Sequence, residues 1–339
     1  MIHTLELRRK SSDYPVFMKL QNDPALKTKY PGIEFITHHI GSEPGKQQYK
    51  VNAKINLSRT IEPGNYLRIY QGQNPEKIID AINQVFAELE LPPVQDWTLY
   101  QVHFTVDIQT PYVSEYLDIL SHGNHKTKPV HTRDGSLWIP YSSRTVTVNF
   151  YSKEAEQQKH GEEAAERARN ILRLEVECKD KKLEYLFSKR KLHRDLVSML
   201  LADNGSYIFD MVNDTVQKEL LAIISNDCDY IKKDAVIARL EASRGRRQQK
   251  THDNLLHLID LVNRKNGSIR TARDNWQRTT RGSTTAFKAR LAELYRIGVN
   301  PICLPSESSQ ERLASLYQLY LDALANEYIT ATENSQILQ

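Results

Sequence analysis

Residues 100–108, YQVHFTVDI, alternate apolar and polar side chains over nine positions. Successive side chains of a β-strand point to opposite faces of a sheet, so this segment predicts a strand with one buried and one polar face. The apolar row contains Tyr100, Val102, Phe104, Val106 and Ile108. The polar row contains Gln101, His103, Thr105 and Asp107, which places His103 and Asp107 on the same side.

Two later segments repeat the pattern, VTVNFYSK at 146–153 and LRLEVEC at 172–178. Their predicted buried rows are Val146, Val148 and Phe150, and Leu172, Leu174, Val176 and Cys178. Their polar rows are Thr147, Asn149, Tyr151 and Lys153, and Arg173, Glu175 and Glu177. If the three strands are neighbours in one sheet, these rows form a single surface. A solvent-exposed face of an antiparallel sheet produces the same alternation, so that interpretation stays open.

Outward from these strands, the chain changes from strands to helices near residue 178. Gln48–Leu57 alternates as a further strand, and Pro75–Leu89 has the apolar spacing of an amphipathic helix. The charged segment Glu154–Arg169 predicts one exposed helix between two strands. Beyond Lys182 the apolar residues recur at helical spacing. We therefore predict an α+β fold, with an N-terminal antiparallel sheet and flanking helices followed by a mainly helical C-terminal region.

We predict three divisions of the 339-residue chain. They are a sheet-rich domain at 1–182, a helical extension at 183–242 and a basic helical domain at 251–330. The polar segment SRGRRQQK at 243–250 separates the last two. In the basic domain, one helix ends near Asn266-Gly267, and Ser283 caps a second helix that ends at Gly298. This pair predicts a helix-turn-helix or winged-helix-like unit.

Composition indicates a cytoplasmic protein with an anionic partner. No apolar run approaches the roughly 18 to 20 residues that a membrane span needs, so we expect no membrane partner. The first residues alternate like a strand instead of having the layout of a signal peptide. Net charge is only +4, but residues 231–300 hold 16 Lys and Arg against 6 Asp and Glu, a local excess of +10. That excess favours nucleic acid, although a solvated basic helix face also fits.

The three polar rows together suit phosphodiester chemistry. Carboxylates and imidazole are ligands for Mg²⁺ or Mn²⁺, which polarise a scissile phosphate. A tyrosine oxygen can attack phosphorus and form a covalent intermediate. The candidate metal ligands are His103, Asp107, Glu175 and Glu177. Arg173 suits phosphate binding, but an ion pair with a neighbouring carboxylate is an equal alternative.

The same segments resemble the filamentous-phage gene II/X replication proteins and, more loosely, plasmid rolling-circle initiators. RTVTVNFYSK at 144–153 resembles the family segment that carries the DNA-linking tyrosine, with a lysine two residues later. NILRLEVE at 170–177 resembles the Leu-Arg-Phe-Glu strand that follows it. KINLS at 54–58 with Gly64-Asn65 resembles an N-terminal family segment.

The resemblance implies a nickase- or relaxase-like sheet domain and a rolling-circle initiator. Tyr151 would cleave origin DNA and hold its 5′ phosphate, with Lys153 beside it and Mg²⁺ or Mn²⁺ as cofactor. Single- or double-stranded origin DNA and the host replication helicase and polymerase would be its partners, in the cytoplasm of a bacterial host. The sequence does not predict the oligomeric state. A DNA-binding replication or repressor protein without nuclease activity is one alternative, and a phosphodiesterase that uses water is another.

Two departures from the family pattern concern the first strand and the histidines. Gln101-Val102-His103 stands where the family has Arg-Ile-Asp, so the family aspartate corresponds to His103 or, after a shift, to Asp107. The His-hydrophobe-His pair of the wider nickase superfamily is absent from the sequence. We interpret the remaining candidates as ordinary surface residues; they are His38, His39, His122 and His125.

The basic domain supplies candidate phosphate contacts, which would position the protein without reading sequence. They are Arg270, Arg273, Arg278, Arg281, Lys288 and Arg290. Among the aromatic residues there, Trp276 is expected to pack in the core instead of stacking on a base.

Overall fold

The computed structural model of the protein describes residues 2–11, 14–40, 48–61, 75–125, 130–131, 137–140, 145–202, 207–245, 248–280 and 282–337. Over these ranges the fold is α+β, as the alternation predicts. Strands dominate up to Lys179 and helices dominate beyond it.

An antiparallel sheet forms the N-terminal half, with the strand order β2-β3-β1-β4-β8-β7-β6-β5. Its strands are β1 (Ile2–Ser11), β2 (Ile33–Ile40), β3 (Gln48–Asn56), β4 (Thr98–Gln109), β5 (Val130–His131), β6 (Leu137–Pro140), β7 (Val146–Ser152) and β8 (Ile171–Lys179). The strands β4, β8 and β7 are therefore immediate neighbours. This is the arrangement that would merge the three polar rows into one surface.

One group of helices alternates with the strands of this sheet, and a second group follows it. The first group is α1 (Tyr14–Asn22), α2 (Leu26–Lys29), α3 (Leu57–Ile61), α4 (Pro75–Glu88), α5 (Val113–Ser121), α6 (Lys153–Gln157) and α7 (Glu162–Arg167). The second group is α8 (Lys181–Lys189), α9 (Leu196–Leu201), α10 (Tyr207–Val212), α11 (Lys218–Ile224), α12 (Lys233–Ala242), α13 (Gln249–Asn263), α14 (Ile269–Thr280), α15 (Thr284–Arg296) and α16 (Leu316–Ile337). A π-helical segment, Asn213–Gln217, joins α10 to α11, and the strands β9 (Tyr230–Ile231) and β10 (Arg312–Leu313) pair with each other.

The apolar face of the sheet is the floor of the hydrophobic core. Ile78, Ile82 and Phe86 on α4 are fully buried, which confirms the predicted amphipathic stripe. Phe86 packs on Trp97 with ring centroids 5.0 Å apart. The helix α16 packs against β4, and Tyr116 on α5 donates a hydrogen bond to the carbonyl of Ala314 at 2.9 Å. The polar rows of β4, β8 and β7 lie on the opposite face of the sheet.

One member of the predicted apolar row on β4 was wrong. Tyr100 is only partly buried and lies under the guanidinium of Arg8, 3.0 Å from its ring centroid. The cause is a register shift in the pairing of β1 with β4, where Glu6 pairs with Gln101 but Leu7 pairs with Leu99. This irregularity places an additional residue in β4, so Leu99 faces the core instead of Tyr100.

The predicted single helix over Glu154–Arg169 was also wrong, because the structure divides it. The helix α6 ends at Gln157, a 3-10 turn covers Gln158–His160, and α7 begins at Glu162. Gly161 between them has φ +108°, a conformation outside the right-handed helical region that glycine adopts readily. The chain therefore turns at this glycine.

In the C-terminal region, α13, α14 and α15 pack on one another. Ser283 caps α15, its Oγ accepting from the amide of Ala286 at 3.1 Å, as the sequence predicts. The sequence interpretation missed α14 as a helix because its surface is so basic. Ile269, Ala272 and Trp276 on α14 are all buried, and this i, i+3, i+7 spacing was the available signal.

Candidate active site

The register of β4, β8 and β7 arranges the polar residues in three cross-strand rows. The rows are His103–Glu177–Thr147, Thr105–Glu175–Asn149 and Asp107–Arg173–Tyr151. Facing residues on neighbouring strands have their Cβ atoms about 5 Å apart, close enough for their side chains to interact. The predicted tyrosine, histidine, arginine and carboxylates therefore share one surface.

Tyr151 is hydrogen-bonded to Glu175. Its hydroxyl lies 3.3 Å from Glu175 Oε2 and donates to it, and Asn149 Nδ2 donates to Oε1 of the same carboxylate, also at 3.3 Å. Burial, followed by the negative charge of Glu175, raises the pKa of Tyr151 well above its ordinary value. The phenol is thus protonated at neutral pH, and the nearest group that can accept its proton is Glu175.

His103 connects the two glutamates of β8. Its Nδ1 lies 3.1 Å from Glu175 Oε1, and its Nε2 lies 3.3 Å from Glu177 Oε1. Burial alone would lower the pKa of His103, but the two carboxylates outweigh it and raise the pKa to about 9. Burial opposes ionisation of Glu175 as well, yet His103 holds the pKa of that carboxyl well below its usual range. The three side chains form a charged network with an imidazolium at its centre.

Arg173 and Asp107 form a separate pair. Arg173 Nε and Nη2 donate to the two oxygens of Asp107 at 2.7 and 2.8 Å, and the arginine side chain is completely buried. Of the two interpretations of Arg173, the structure contains the ion pair, and its partner is Asp107 instead of a neighbouring glutamate. Of the two first-strand ligand candidates, His103 contacts the glutamates, whereas the Asp107 carboxylate is held by Arg173.

Lys153 is the first residue of α6 and is almost fully buried. Its Nζ donates to Glu156 Oε2 at 2.6 Å. Burial and the charge of Arg173 lower the pKa of Lys153 to about 8, although Glu156 opposes this change. The turn into α6 is fixed by Ser152, whose Oγ accepts from the amide of Ala155 at 3.2 Å. Lys153 is therefore directed to Glu156, next to the Tyr151 surface.

Sequence reasoning missed two residues of this surface. Glu156 lies three positions after Lys153, and this helical spacing for an ion pair was a usable signal. His3 on β1 contacts Thr4 Oγ1 at 3.0 Å and Asn56 Nδ2 at 3.4 Å. Burial, followed by the charge of Arg173, lowers the pKa of His3 to about 3, so its imidazole is neutral at pH 7. No local pattern indicates His3, because its position depends on the pairing of β1 with β3 and β4.

The side chains around His103 have the donor atoms that a divalent metal needs, but their arrangement is not that of a metal site. Glu175, Glu177 and His103 provide the oxygen and nitrogen atoms that Mg²⁺ or Mn²⁺ accepts. Within the described ranges, however, no group of three or more His, Cys, Asp or Glu side chains is arranged to hold a metal ion. Both ring nitrogens of His103 are directed to carboxylates. A metal would have to replace the proton that His103 shares with them.

The candidate phosphate contacts of the C-terminal region differ in their accessibility. Arg273 pairs with Asp274 at 3.3 Å, and Arg290 pairs with Glu293 at 3.0 Å. Arg270 reaches the carbonyl of His125 at 3.4 Å. Arg278 and Lys288 are exposed and form no ion pair with the part of the chain that the structure describes.

Two further predictions in this region have different outcomes. Arg281 lies outside the described residues. Trp276 is buried against Phe287, with ring centroids 5.9 Å apart, which confirms that it packs in the core.

The interpretation of four histidines as surface residues was wrong for His125. His38 and His39 are exposed on β2, and His122 is partly buried. His125 is buried, and its Nε2 donates to the carbonyl of Leu120 at 2.6 Å. Its loop is enclosed because Asn124 N donates to Ile223 O and Ile269 N donates to His122 O. These hydrogen bonds link the loop to the C-terminal helices. The glycine and asparagine of the loop had predicted solvent exposure instead.

Comparison with models of known protein families gives no match for this chain, and comparison with curated proteins gives none either. Over the ranges that the structure describes, no helix combines the length and apolar character needed to cross a bilayer.

Proposed function

We propose that the protein is a rolling-circle replication initiator that nicks and rejoins origin DNA through a covalent phosphotyrosine on Tyr151. The observation that supports this most is the hydrogen bond from Tyr151 to Glu175, on a surface that also contains His103, Arg173 and Lys153. A nucleophile next to a base that is itself oriented by a third group is the usual geometry of covalent catalysis. The resemblance to the gene II/X proteins supports the same residue.

In the proposed reaction, the Tyr151 oxygen attacks the scissile phosphorus. Its proton passes to Glu175, an O–P bond forms to Tyr151, and the bond from phosphorus to the 3′ oxygen breaks. The 3′ oxygen leaves as a hydroxyl after taking up a proton from water, Glu175 returns its proton to water, and the 3′ hydroxyl becomes the primer for the host polymerase. The 5′ phosphate stays on Tyr151, so the energy of the broken bond is kept for rejoining. Because the pKa of Tyr151 is raised and that of Glu175 is lowered, proton transfer to Glu175 is unfavourable before the attack and has to accompany it.

Lys153 and a divalent cation have supporting roles in this proposal. The Lys153 ammonium lies close enough to Arg173 for their charges to interact, and in this proposal it stabilises negative charge on the phosphotyrosine. Mg²⁺ or Mn²⁺, if bound, would be held by Glu175 and Glu177 with a neutral His103, and it would polarise the scissile phosphate. Arg173 acts in this proposal through Asp107, because it is fully buried and paired.

The C-terminal helices would deliver the DNA. We propose that α13, α14 and α15 form a helix-turn-helix-like unit with Arg278 and Lys288 as its accessible phosphate contacts. Phosphate contacts of this kind orient a duplex but carry no sequence information. Origin recognition, the host helicase and polymerase, and residence in a bacterial cytoplasm belong to the same proposal.

The pairing of the buried charges also favours a second function, a DNA-binding replication or repressor protein without nuclease activity. His103 with two glutamates, Arg173 with Asp107, and Lys153 with Glu156 can each act as a structural ion pair. In that case Tyr151 would have only a structural role, as a packed side chain that donates a hydrogen bond to Glu175.

One experiment separates these functions from each other and from a water-using phosphodiesterase. Labelled single-stranded origin DNA is incubated with the protein and Mn²⁺, and denaturing gels are examined for a protein–DNA adduct. The nickase forms an adduct that is lost in Tyr151→Phe and retained in Tyr100→Phe, a matched tyrosine of the same sheet. Cleavage without an adduct indicates the phosphodiesterase, and binding without cleavage indicates the non-catalytic protein. Glu175→Gln is expected to abolish cleavage while DNA binding persists.

A further inference from the structure

A cavity of about 420 Å³ opens beside β1 and β3. It lies apart from β7, the strand that contains Tyr151. Strand β3 contributes Lys54 and Asn56 to its lining, the turn after α2 contributes Tyr30, and strand β2 contributes Glu34. Its volume is in the range of sites that enclose small ligands, and it suits one nucleotide better than a duplex.

Cationic side chains outnumber carboxylates in the described lining of this cavity. Among the lining residues that the structure describes, Lys27, Lys54 and Arg59 are cationic and Glu34 is the one carboxylate. Lys27 neutralises that carboxylate through an ion pair of 2.8 Å. Lys54 is exposed and forms no ion pair with any residue that the structure describes, although Glu6 and Glu34 face it across the strands. The described part of the lining thus carries a net positive charge, and the Lys54 ammonium is its accessible cation.

The walls of the cavity are tightly built. The amide of Asn56 donates to the carbonyl of Gly32 at 2.8 Å, and Asn56 Oδ1 accepts from the amide of Arg59 at 3.1 Å. A Cβ atom at Gly32 would lie 2.4 Å from the backbone nitrogen of Thr60, so only glycine permits this contact between the turn and α3. A ligand would therefore meet a site that is already formed.

His3 connects the cavity to the Tyr151 surface. Thr4 and Asn56, which line the cavity, contact its two ring nitrogens at 3.0 and 3.4 Å. On its other side, His3 is close enough to Arg173 and Glu175 for their charges to affect its pKa. Lys54 and Asn56 also lie on the polar face, since the intervening Ile55 is buried in the core. A strand bound across this face would meet both places.

We propose that this cavity binds a backbone phosphate of single-stranded DNA that lies to one side of the phosphate attacked by Tyr151, with Lys54 as its cationic contact. The inference rests on the proposed function, because it assumes that a DNA strand crosses the polar face. It adds a binding subsite outside the strands β4, β7 and β8.

The test measures binding of a short fluorescein-labelled single strand by anisotropy over a series of salt concentrations. All variants carry Tyr151→Phe, so that binding is read without adduct formation. Lys54→Ala is expected to weaken binding several-fold and to reduce the slope of log K against log salt by about 0.7, one phosphate contact on a single strand. Lys54→Glu is expected to weaken binding further. Lys77→Ala removes an exposed lysine from α4 and is expected to leave affinity and slope unchanged.

Three results decide the inference. An unchanged slope and affinity in Lys54→Glu, with the fold verified by circular dichroism, would overturn it. The second result comes from calorimetric titration with inorganic phosphate. If phosphate binding depends on Lys54 but strand binding does not, the cavity is a site for free anions and the proposed DNA subsite is wrong. If Lys54→Ala weakens strand binding but the protein without Tyr151→Phe forms no adduct, the subsite stands and the nicking proposal fails.

Discussion

The polar cluster on β4, β8 and β7 and the basic surface of α13–α15 both hold many charges, but they hold them differently. In the cluster, Arg173 and Lys153 are buried, His103 is partly buried, and each of the three is directed at a carboxylate. On the helices, Arg278 and Lys288 project into solvent without a described partner. Buried pairs fix geometry and titrate far from their ordinary pKa values, whereas exposed cations act at long range and are screened by salt. The first arrangement suits chemistry at one atom, and the second suits adhesion to a polyanion.

The largest expected effect comes from removing one charge from the buried cluster. Asp107→Asn removes the charge that faces Arg173, leaving a buried guanidinium without its counter-ion. We expect a loss of about 3–5 kcal/mol in the free energy of unfolding, measured by urea denaturation. The control is Glu166→Gln, which breaks the exposed pair with Arg169 and should cost no more than about 1 kcal/mol. Equal losses in the two variants would mean that burial of the Arg173 pair has no energetic consequence.

An intermediate effect is expected at His125, where the sheet meets the helices. Nε2 of His125 carries the proton that it donates to Leu120 O, so Nδ1 of the neutral ring is unprotonated. This buried Nδ1 has no hydrogen-bond partner in the described part of the chain. Burial outweighs the Leu120 hydrogen bond and lowers the pKa of His125 to about 4. The unfolded chain, with a pKa near 6.5, therefore binds the proton first, and folding stability falls as pH drops below that value.

The measurement is the free energy of unfolding at pH 7 and pH 5. A pKa of about 4 against 6.5 predicts that His125 accounts for a decrease of about 2 kcal/mol over this interval. His125→Gln keeps an amide donor for Leu120 O but does not titrate, so its decrease should be smaller by that amount. His38→Gln, an exposed histidine, should behave as wild type. If His125→Gln loses stability as steeply as wild type, His125 is not the group that responds.

Much of the sheet was predictable because its pattern is local. Val102, Phe104 and Val106 alternate with polar residues, and that alone gives the strand and its buried face. Tyr100 was misplaced because a bulge depends on the partner strand, which alternation does not contain. The partners of Arg173 and Lys153 likewise depend on register and on the turn into α6. Sequence therefore predicted which residues share the candidate surface, but not which of them neutralise one another.

The smallest effect tests the exposed half of the contrast. Arg278→Ala and Lys288→Ala each remove one cation from the helical surface, where neither has a described partner to destabilise. For duplex DNA we expect each change to weaken binding by about 1 kcal/mol or less and to reduce the salt slope by about 0.9, uniformly across sequences. The free energy of unfolding should stay within about 0.5 kcal/mol of wild type. Arg290→Ala is the informative partner variant, because its guanidinium is already paired with Glu293 and should contribute less to the slope. Equal changes of slope in the three variants would show that an ion pair on the surface does not prevent a phosphate contact. Burial, and not pairing, would then be the property that distinguishes the polar cluster from the helical surface.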